Sequence, residues 1–379
     1  LHRNRASAEA IRVPTFAAIA SEGLTQFVRM RRHWCTKSTV RASTTALVQR
    51  ALRLRRTGGH LYENSRTGIG RKTWVAAVMT ADRPDAQGRM PVIPGTFSYH
   101  RPKSVQEAVG LLAKLGDDGR ALAGGHSLIP MMKLRLATPA NLVDLADIAD
   151  LKGIRCDGND VVIGAMTTQH DLIGSDLLAA KLPILRETSL LIADPQVRYV
   201  GTLGGNVANG DPGNDMPAVM MCLGATYHVM GKSGERRIAA REFYQGAYFT
   251  ALEAGDVLTT VRIPAPPAGH GYGYEKLKRK IGDYATAAAA IVVTMSGGKV
   301  ASCSIGLTNV AETPLWAEEA AKILTGSSLD KATVKKAVAA AEAITSPAAD
   351  AHGPAIYRTK MAGVMLTRAL DRAKSRARG

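Results

Sequence analysis

The sequence predicts an α+β protein, and three observations carry that expectation. Strand-like and helix-like segments interleave from about residue 93, and a mostly β run follows residue 224. The stretch "PAPPAGHGYG", with three prolines and three glycines, then marks a linker near residue 267 ahead of a last block of strands and helices.

The elements follow in order. "FSYHRP" is a short strand. "SVQEAVGLLAKLG" is a helix with Ser104 as N-cap, Glu107 as capping-box partner and Gly116 as stop. "RALAGGHSLIPMMKLRLA" reads as strand, glycine turn and helix start, and "NLVDLADI" and "DVVIGAMTT" as strands. "QHDLIGSDLLAAKLPILRETSLLIA" is helical in pieces, broken at Gly174 and Pro183. "ATYHVMG", "RRIAAREFY" and "VLTTVRIP" form the β run. Past the linker come "YEKLKRK", strands around "AAAAIVVTMSGGKVASCSIGLTNV", and helices beginning near Trp316, Lys331 and Tyr357. The longest apolar run, Ala285 to Met295, is about half of the roughly 20 residues that cross a bilayer, and it reads as a buried strand or helix. A soluble protein is expected.

The net charge of +17 invites a nucleic-acid or membrane-surface partner. Its distribution argues otherwise. Residues 1–89 hold 17 Lys and Arg against 5 Asp and Glu, whereas the remaining 290 hold 32 against 27. The front segment is rich in arginine and shows no sustained period of 2 or 3.6. It reads as an organelle leader, as a nucleic-acid-gripping arm, or as sequence translated from upstream of the true start. The last is the expectation, because the chain opens on Leu1 and patterning begins at Met90 in "MPVIPGTFSYHRP". Four cysteines at 35, 156, 222 and 303 contain no CxxC pair, so their spacing fits neither a zinc cage nor an iron-sulfur cluster. They read as small apolar fillers in a reducing, cytoplasmic setting.

Two glycine turns stand out, "AGGHS" at 123–127 and "TLGGN" at 202–206. Consecutive glycines let several backbone N–H groups converge on one anion, and a following helix adds its unpaired first-turn amides. Two such turns in one domain suit a diphosphate held from both sides. Each carries a hydroxyl, Ser127 or Thr202, and Asn206 and Asn209 add amides able to hydrogen-bond phosphate, ribose or their own loop. Neither turn is GxGxxG, and no GxxxxGK[ST] occurs.

With "MTTQHDLI", "ETSLLIADPQVRYVGT", "YEKLKRKIGDYATAAAA" and "YRTKMAGVMLTRAL", these turns resemble the FAD-binding subunits of molybdenum hydroxylases, specifically the medium chains of aerobic carbon monoxide dehydrogenases. The resemblance runs from about 93 to 379 and leaves residues 1–89 unmatched. It implies a vanillyl-alcohol oxidase (PCMH)-type fold of two α+β subdomains, about 90–145 and 146–266, and a C-terminal α/β domain at 267–379. It implies that Ala123, Gly124, Gly125, His126 and Ser127, with Thr202, Leu203, Gly204, Gly205 and Asn206, hold the FAD diphosphate. Asp215 matches a position that contacts FAD; it also reads as an N-terminal helix acid. Tyr284 falls where the carbon monoxide branch sets an aromatic ring over the flavin, or is a core strand tyrosine. The ring of His126 has no evident chemical partner. No histidine stands out for covalent attachment, so noncovalent FAD is expected.

The same resemblance implies a division of labour. Two-iron, two-sulfur clusters and a molybdenum-copper pterin cofactor would sit in an iron-sulfur small subunit and a molybdenum large subunit, in a dimer of heterotrimers. This chain would take electrons released when CO and water become CO2 and pass them to a quinone. That places the enzyme in the cytoplasm, at the inner face of the cytoplasmic membrane. Other readings are the flavin subunit of an aldehyde- or N-heterocycle-oxidising hydroxylase and, in another class, a basic nucleic-acid-binding protein resting on residues 1–89.

Overall fold

The computed structural model describes residues 93–378. The expectation about residues 1–89 lies outside the described residues. Within them the chain forms a three-stranded, a five-stranded and a four-stranded sheet, with one two-stranded hairpin.

The first sheet is built from β1 (Ser98–His100), β2 (Gly119–Leu122) and β3 (Asn141–Asp144), with β3 central and parallel to both neighbours. Helix α1 (Val105–Leu115) connects β1 to β2, and α2 (Leu128–Lys133) precedes β3. The Oγ of Ser104 accepts the Glu107 N–H at 3.2 Å, and such a cap contributes about 1 kcal/mol. The expected capping box closes one residue early, because the Glu107 carboxylate accepts from the Lys103 N–H at 2.7 Å, not from that of Ser104. Val105, Ala108, Val109 and Leu112 recur at helical spacing and pack with Val143, Leu145 and Ile148.

The second unit opens with β4 (Ile154–Asp157) and β5 (Asp160–Gly164). Six helices follow: α3 (Gln169–Gly174), α4 (Asp176–Lys181), α5 (Pro183–Leu191), α6 (Pro195–Val200), α7 (Leu203–Ala208) and α8 (Asp215–Cys222). The breaks expected at Gly174 and Pro183 are present, and Pro183 starts α5, where a missing N–H does no harm. Then come β6 (Thr226–Gly231), β7 (Gly234–Ala239), α9 (Ala240–Phe243), the hairpin of β8 (Tyr244–Gly246) and β9 (Phe249–Thr250), and β10 (Val257–Pro264). "RRIAAREFY" is therefore not wholly β: it turns helical at α9, whose Ala240 and Phe243 are drawn into the core. The sheet order is β4-β5-β10-β6-β7, antiparallel throughout.

The third sheet runs β11 (Gly271–Leu277), β12 (Ala287–Ser296), β13 (Lys299–Thr308) and β14 (Leu315–Trp316), followed by α10 (Glu318–Leu324), α11 (Lys331–Ala343) and α12 (Ala355–Arg376). Successive side chains of a strand face opposite ways. Ala288 and Ala290 of β12 accordingly join the core of the second unit, while Ala287, Ala289, Ile291 and Val293 join a core formed with α10, α11 and α12. This strand is buried on both faces, so its apolar run shows no alternation. Among the described residues no helix is long and apolar enough to cross a membrane, and no cluster of His, Cys, Asp or Glu could hold a metal ion.

Candidate functional site

A cleft of about 980 Å³ runs between the first sheet and the second unit, with Lys276 and the 282–284 loop of the third on its wall. Both glycine turns line it, and they meet there. A Cβ placed on Gly124 would lie 2.4 Å from the Val200 carbonyl oxygen and 2.8 Å from the Gly201 Cα. One on Gly205 would lie 3.2 Å from the Ala123 Cβ. At Gly124 only a residue without a side chain allows this approach, and at Gly205 a side chain would make it tight.

The two turns contribute differently. Among the described residues the N–H groups of Gly124, Gly125, His126 and Ser127 donate to nothing, and Gly125 takes a left-handed φ of 75°. Ser127 stands at the N-cap of α2 yet its hydroxyl makes no cap bond. Together these form an open set of donors suited to an anion. "TLGGN", expected as a turn of convergent amides, is instead the first turn of α7. Its amides are committed: Leu203 N–H donates to the Thr167 carbonyl at 2.9 Å, Gly204 to that of Ala165 at 2.7 Å and Asn206 to that of Thr202 at 3.1 Å. The Gly205 N–H donates to Thr202 Oγ1 at 3.0 Å. What this turn offers the cleft is the bare surface of Gly205, the proton of the Thr202 hydroxyl and the side chain of Asn206. Leu203 faces the other way, fully buried in the core, and Gly204 presses on Ala165, where an added Cβ would meet the Ala165 Cβ at 2.5 Å.

Two polar atoms on the cleft wall are buried without a partner among the described residues, Asn206 Oδ1 and Gln169 Nε2. Orphaned buried groups are uncommon and call for a partner from outside the chain. An anion-binding loop, an unpaired hydroxyl and these two amide atoms on one cavity fit the diphosphate, hydroxyls and ring nitrogens of FAD.

At the inner end, Asp215 is the first residue of α8 and is buried. It accepts from the Tyr274 hydroxyl and pairs with Lys276 Nζ at 2.8 Å. Asp215 thus stands as an acid in the first turn of α8 and also lines the cleft. Burial, and next the Asp215 carboxylate, hold the Tyr274 phenol far above the ordinary tyrosine range. Burial first, then the charge of Lys276, keeps Lys278 below the ordinary lysine range. Lys276, whose ammonium is buried in this wall, was not among the expected site residues; in "YEKLKRK" it stands between Glu275 and Leu277, and nothing local sets it apart from the other lysines of that segment.

Tyr284 is not a core strand residue. It sits at the cleft rim on the loop after β11, half-exposed, with its ring against Gly213, where an added Cβ would be 2.8 Å from Tyr284 Cδ1. Loss of solvent and then the neighbouring Asp211 raise its phenol pKa, and the same two causes push Tyr248 up to about 12. His126 is exposed and its ring makes no hydrogen bond among the described residues.

Fold and cleft together define a dinucleotide-binding flavoprotein subunit. Residues 95–266 match the family described as "FAD binding domain in molybdopterin dehydrogenase", and residues 272–373 match "CO dehydrogenase flavoprotein C-terminal domain". The carbon monoxide dehydrogenase medium chain of Afipia carboxidovorans is 73% identical over 287 residues, 76% of this chain and 100% of that protein. That of Hydrogenophaga pseudoflava is 50% identical over 285 residues, 75% of this chain and 99% of its own length. A solved Cu,Mo-CO dehydrogenase in its cyanide-inactivated form superposes with a TM-score of 0.75 at 74% identity, covering 75% of this chain and 100% of that one. The chain belongs to the carbon monoxide dehydrogenase medium-chain family of FAD-binding molybdopterin dehydrogenase subunits.

Proposed function

We propose that this chain is the FAD-carrying electron-transfer subunit of an aerobic carbon monoxide dehydrogenase. The observation that carries the reading is the meeting of the two glycine turns on a cleft whose free amides and orphaned amide atoms match a dinucleotide, in a chain 73% identical to such a medium chain. The amides of Gly124 to Ser127 and the Ser127 and Thr202 hydroxyls would bind the diphosphate, with Asn206 and Gln169 taking further polar atoms. FAD, when bound, supplies exchange between one- and two-electron carriers. Asp215 holds the Lys276 ammonium in a dry wall, where its charge acts at reduced dielectric. Tyr284 excludes water at the rim.

CO would be oxidised to CO2 on a molybdenum-copper large subunit, with water supplying the oxygen and two protons released, and the two electrons would reach this chain through an iron-sulfur small subunit in a dimer of heterotrimers. A quinone would accept them at the inner face of the cytoplasmic membrane. The test is purification from the native host with whatever accompanies the chain, followed by absorption spectroscopy, metal analysis and CO-dependent dye reduction. Flavin bands, iron, molybdenum and copper, and dye reduction by CO are expected. Dye reduction by aldehydes or N-heterocycles and none by CO would transfer the chain to another hydroxylase, and a colourless preparation would remove the flavin role.

A further inference from the structure

We propose that Asn309 and Arg358, in the C-terminal domain and outside the cleft, are positioning residues that set the ring of Tyr284 against the 209–214 loop. The inference rests on the flavin reading of the cleft.

Strand β13 ends at Thr308, and Asn309 then takes a left-handed φ of 60°, a conformation asparagine tolerates better than most residues. It joins three segments. Its backbone N–H donates to the Pro212 carbonyl at 3.0 Å, its Nδ2 donates to the Ala285 carbonyl, and its own carbonyl accepts from Arg358 Nη2. Pro212 precedes Gly213, on which the Tyr284 ring lies, and Ala285 follows Tyr284. One residue therefore holds both the plate and the ring.

Arg358 extends the clasp from α12. It is 2% exposed, and its Nε donates to the Thr286 carbonyl at 3.1 Å. Its Nη1 donates to the Ala348 carbonyl at 2.8 Å and to Asp350 Oδ2 at 2.9 Å. A guanidinium is the side chain that can satisfy so many acceptors in fixed directions. Arg279 donates to Asp283 at 3.2 Å and to the Ala351 carbonyl at 3.0 Å, and Asp283 accepts the Tyr284 N–H at 3.1 Å. Residues 283, 285 and 286 are all tied down, while the tyrosine ring between them projects to the rim. Left-handed non-glycine residues and buried charges are costly, and a fold that needed only to close this loop would not require either.

The test uses the FAD-loaded protein with its copurifying partners, and reads bound-flavin fluorescence, which a stacked aromatic ring quenches, beside the FAD dissociation constant. Tyr284→Ala sets the value for a lost ring. Asn309→Gly keeps the left-handed backbone and removes the donor; Asn309→Asp keeps the size and presents an acceptor to the Ala285 carbonyl. Both should shift fluorescence toward that of Tyr284→Ala and weaken FAD about fivefold, the loss of one buried hydrogen bond. Arg358→Lys should act in the same direction. In the double variant Asn309→Gly with Tyr284→Ala, fluorescence should not exceed that of Tyr284→Ala alone, a coupling that a general loosening would not produce. Wild-type fluorescence in both Asn309 variants, or additive effects in the double, would overturn the inference while leaving the flavin reading intact. A silent Tyr284→Ala would remove both the flavin role of the ring and the clasp's purpose.

Discussion

Replacing Lys276 with methionine isolates the buried charge of the cleft wall. The Lys276 and Asp215 side chains are 1% and 5% exposed and 2.8 Å apart, so neither reaches bulk water when its partner is gone. Methionine fills much of the volume of the lysine stem but leaves Asp215 with the Tyr274 hydroxyl as its side-chain donor. Breaking a pair this deeply buried costs about 3–5 kcal/mol, chiefly the penalty of one uncompensated buried charge. For a chain of this size that corresponds to a melting temperature lower by roughly 4–8 °C. The assay is urea unfolding of the single variants and of Asp215→Asn with Lys276→Met. The double variant removes both charges and should recover at least half of the loss, since the penalty belongs to the orphan rather than to the pair. A loss in Lys276→Met below about 1 kcal/mol, the range of exposed pairs, would refute the claim that this wall is dry.

Three further predictions follow from the cleft and core. Gly124→Ala puts a Cβ 2.4 Å from a backbone oxygen, so the two turns must part; FAD titration by fluorescence should show at least tenfold weaker binding, and wild-type affinity would contradict their close approach. Gly205→Val crowds Thr202 Oγ1 at 2.9 Å and Ala123; it should lower FAD content and also remove the α7 cap, about 1 kcal/mol in unfolding, and a stoichiometric FAD content would speak against the site. Burial raises the Cys222 thiol from its ordinary 9.0 to about 12. Its contribution is therefore complete below pH 9 and is lost as pH rises toward 12, at about 1.4 kcal/mol per pH unit. Unfolding between pH 8 and 11 should show a shallower alkaline decline in Cys222→Ala than in the parent, and parallel curves would count against the burial argument.

The legible parts of the fold were those whose information is local. Ser104, the apolar spacing through Leu112 and the stop at Gly116 define α1 within thirteen residues, and the helix lies where they place it. Periodicity alone left the run at 287–293 open between buried strand and helix, because both faces of β12 are covered and the alternation that marks a strand is absent; its place in the order of elements read it as strand, which it is. The second glycine turn was misjudged for a related reason. Two adjacent glycines oppose helix formation by propensity, yet α7 forms there because the Thr202 cap and the contact of Gly204 with Ala165 outweigh it. Lys276 could not be found locally at all, since Asp215 lies 61 positions away and only the packing of α8 beside β11 joins them.

The difference between the two turns changes what their glycines mean. A pair of glycine motifs in one domain suggests two equivalent anion cradles. In the structure only the first leaves its amides free, while the second satisfies its own and supplies surface. Loss of an amide from the first turn should therefore be felt mainly as lost anion binding, and bulk added to the second as lost packing and lost approach. The comparison is direct: inorganic pyrophosphate should protect FAD-free wild-type protein and Gly205→Ala against thermal unfolding, but not Gly125→Pro, which removes one of the free amides and cannot take the φ of 75°. Equal protection of all three would mean that the free amides of 124–127 are not the anion site, and would return the two turns to equivalence.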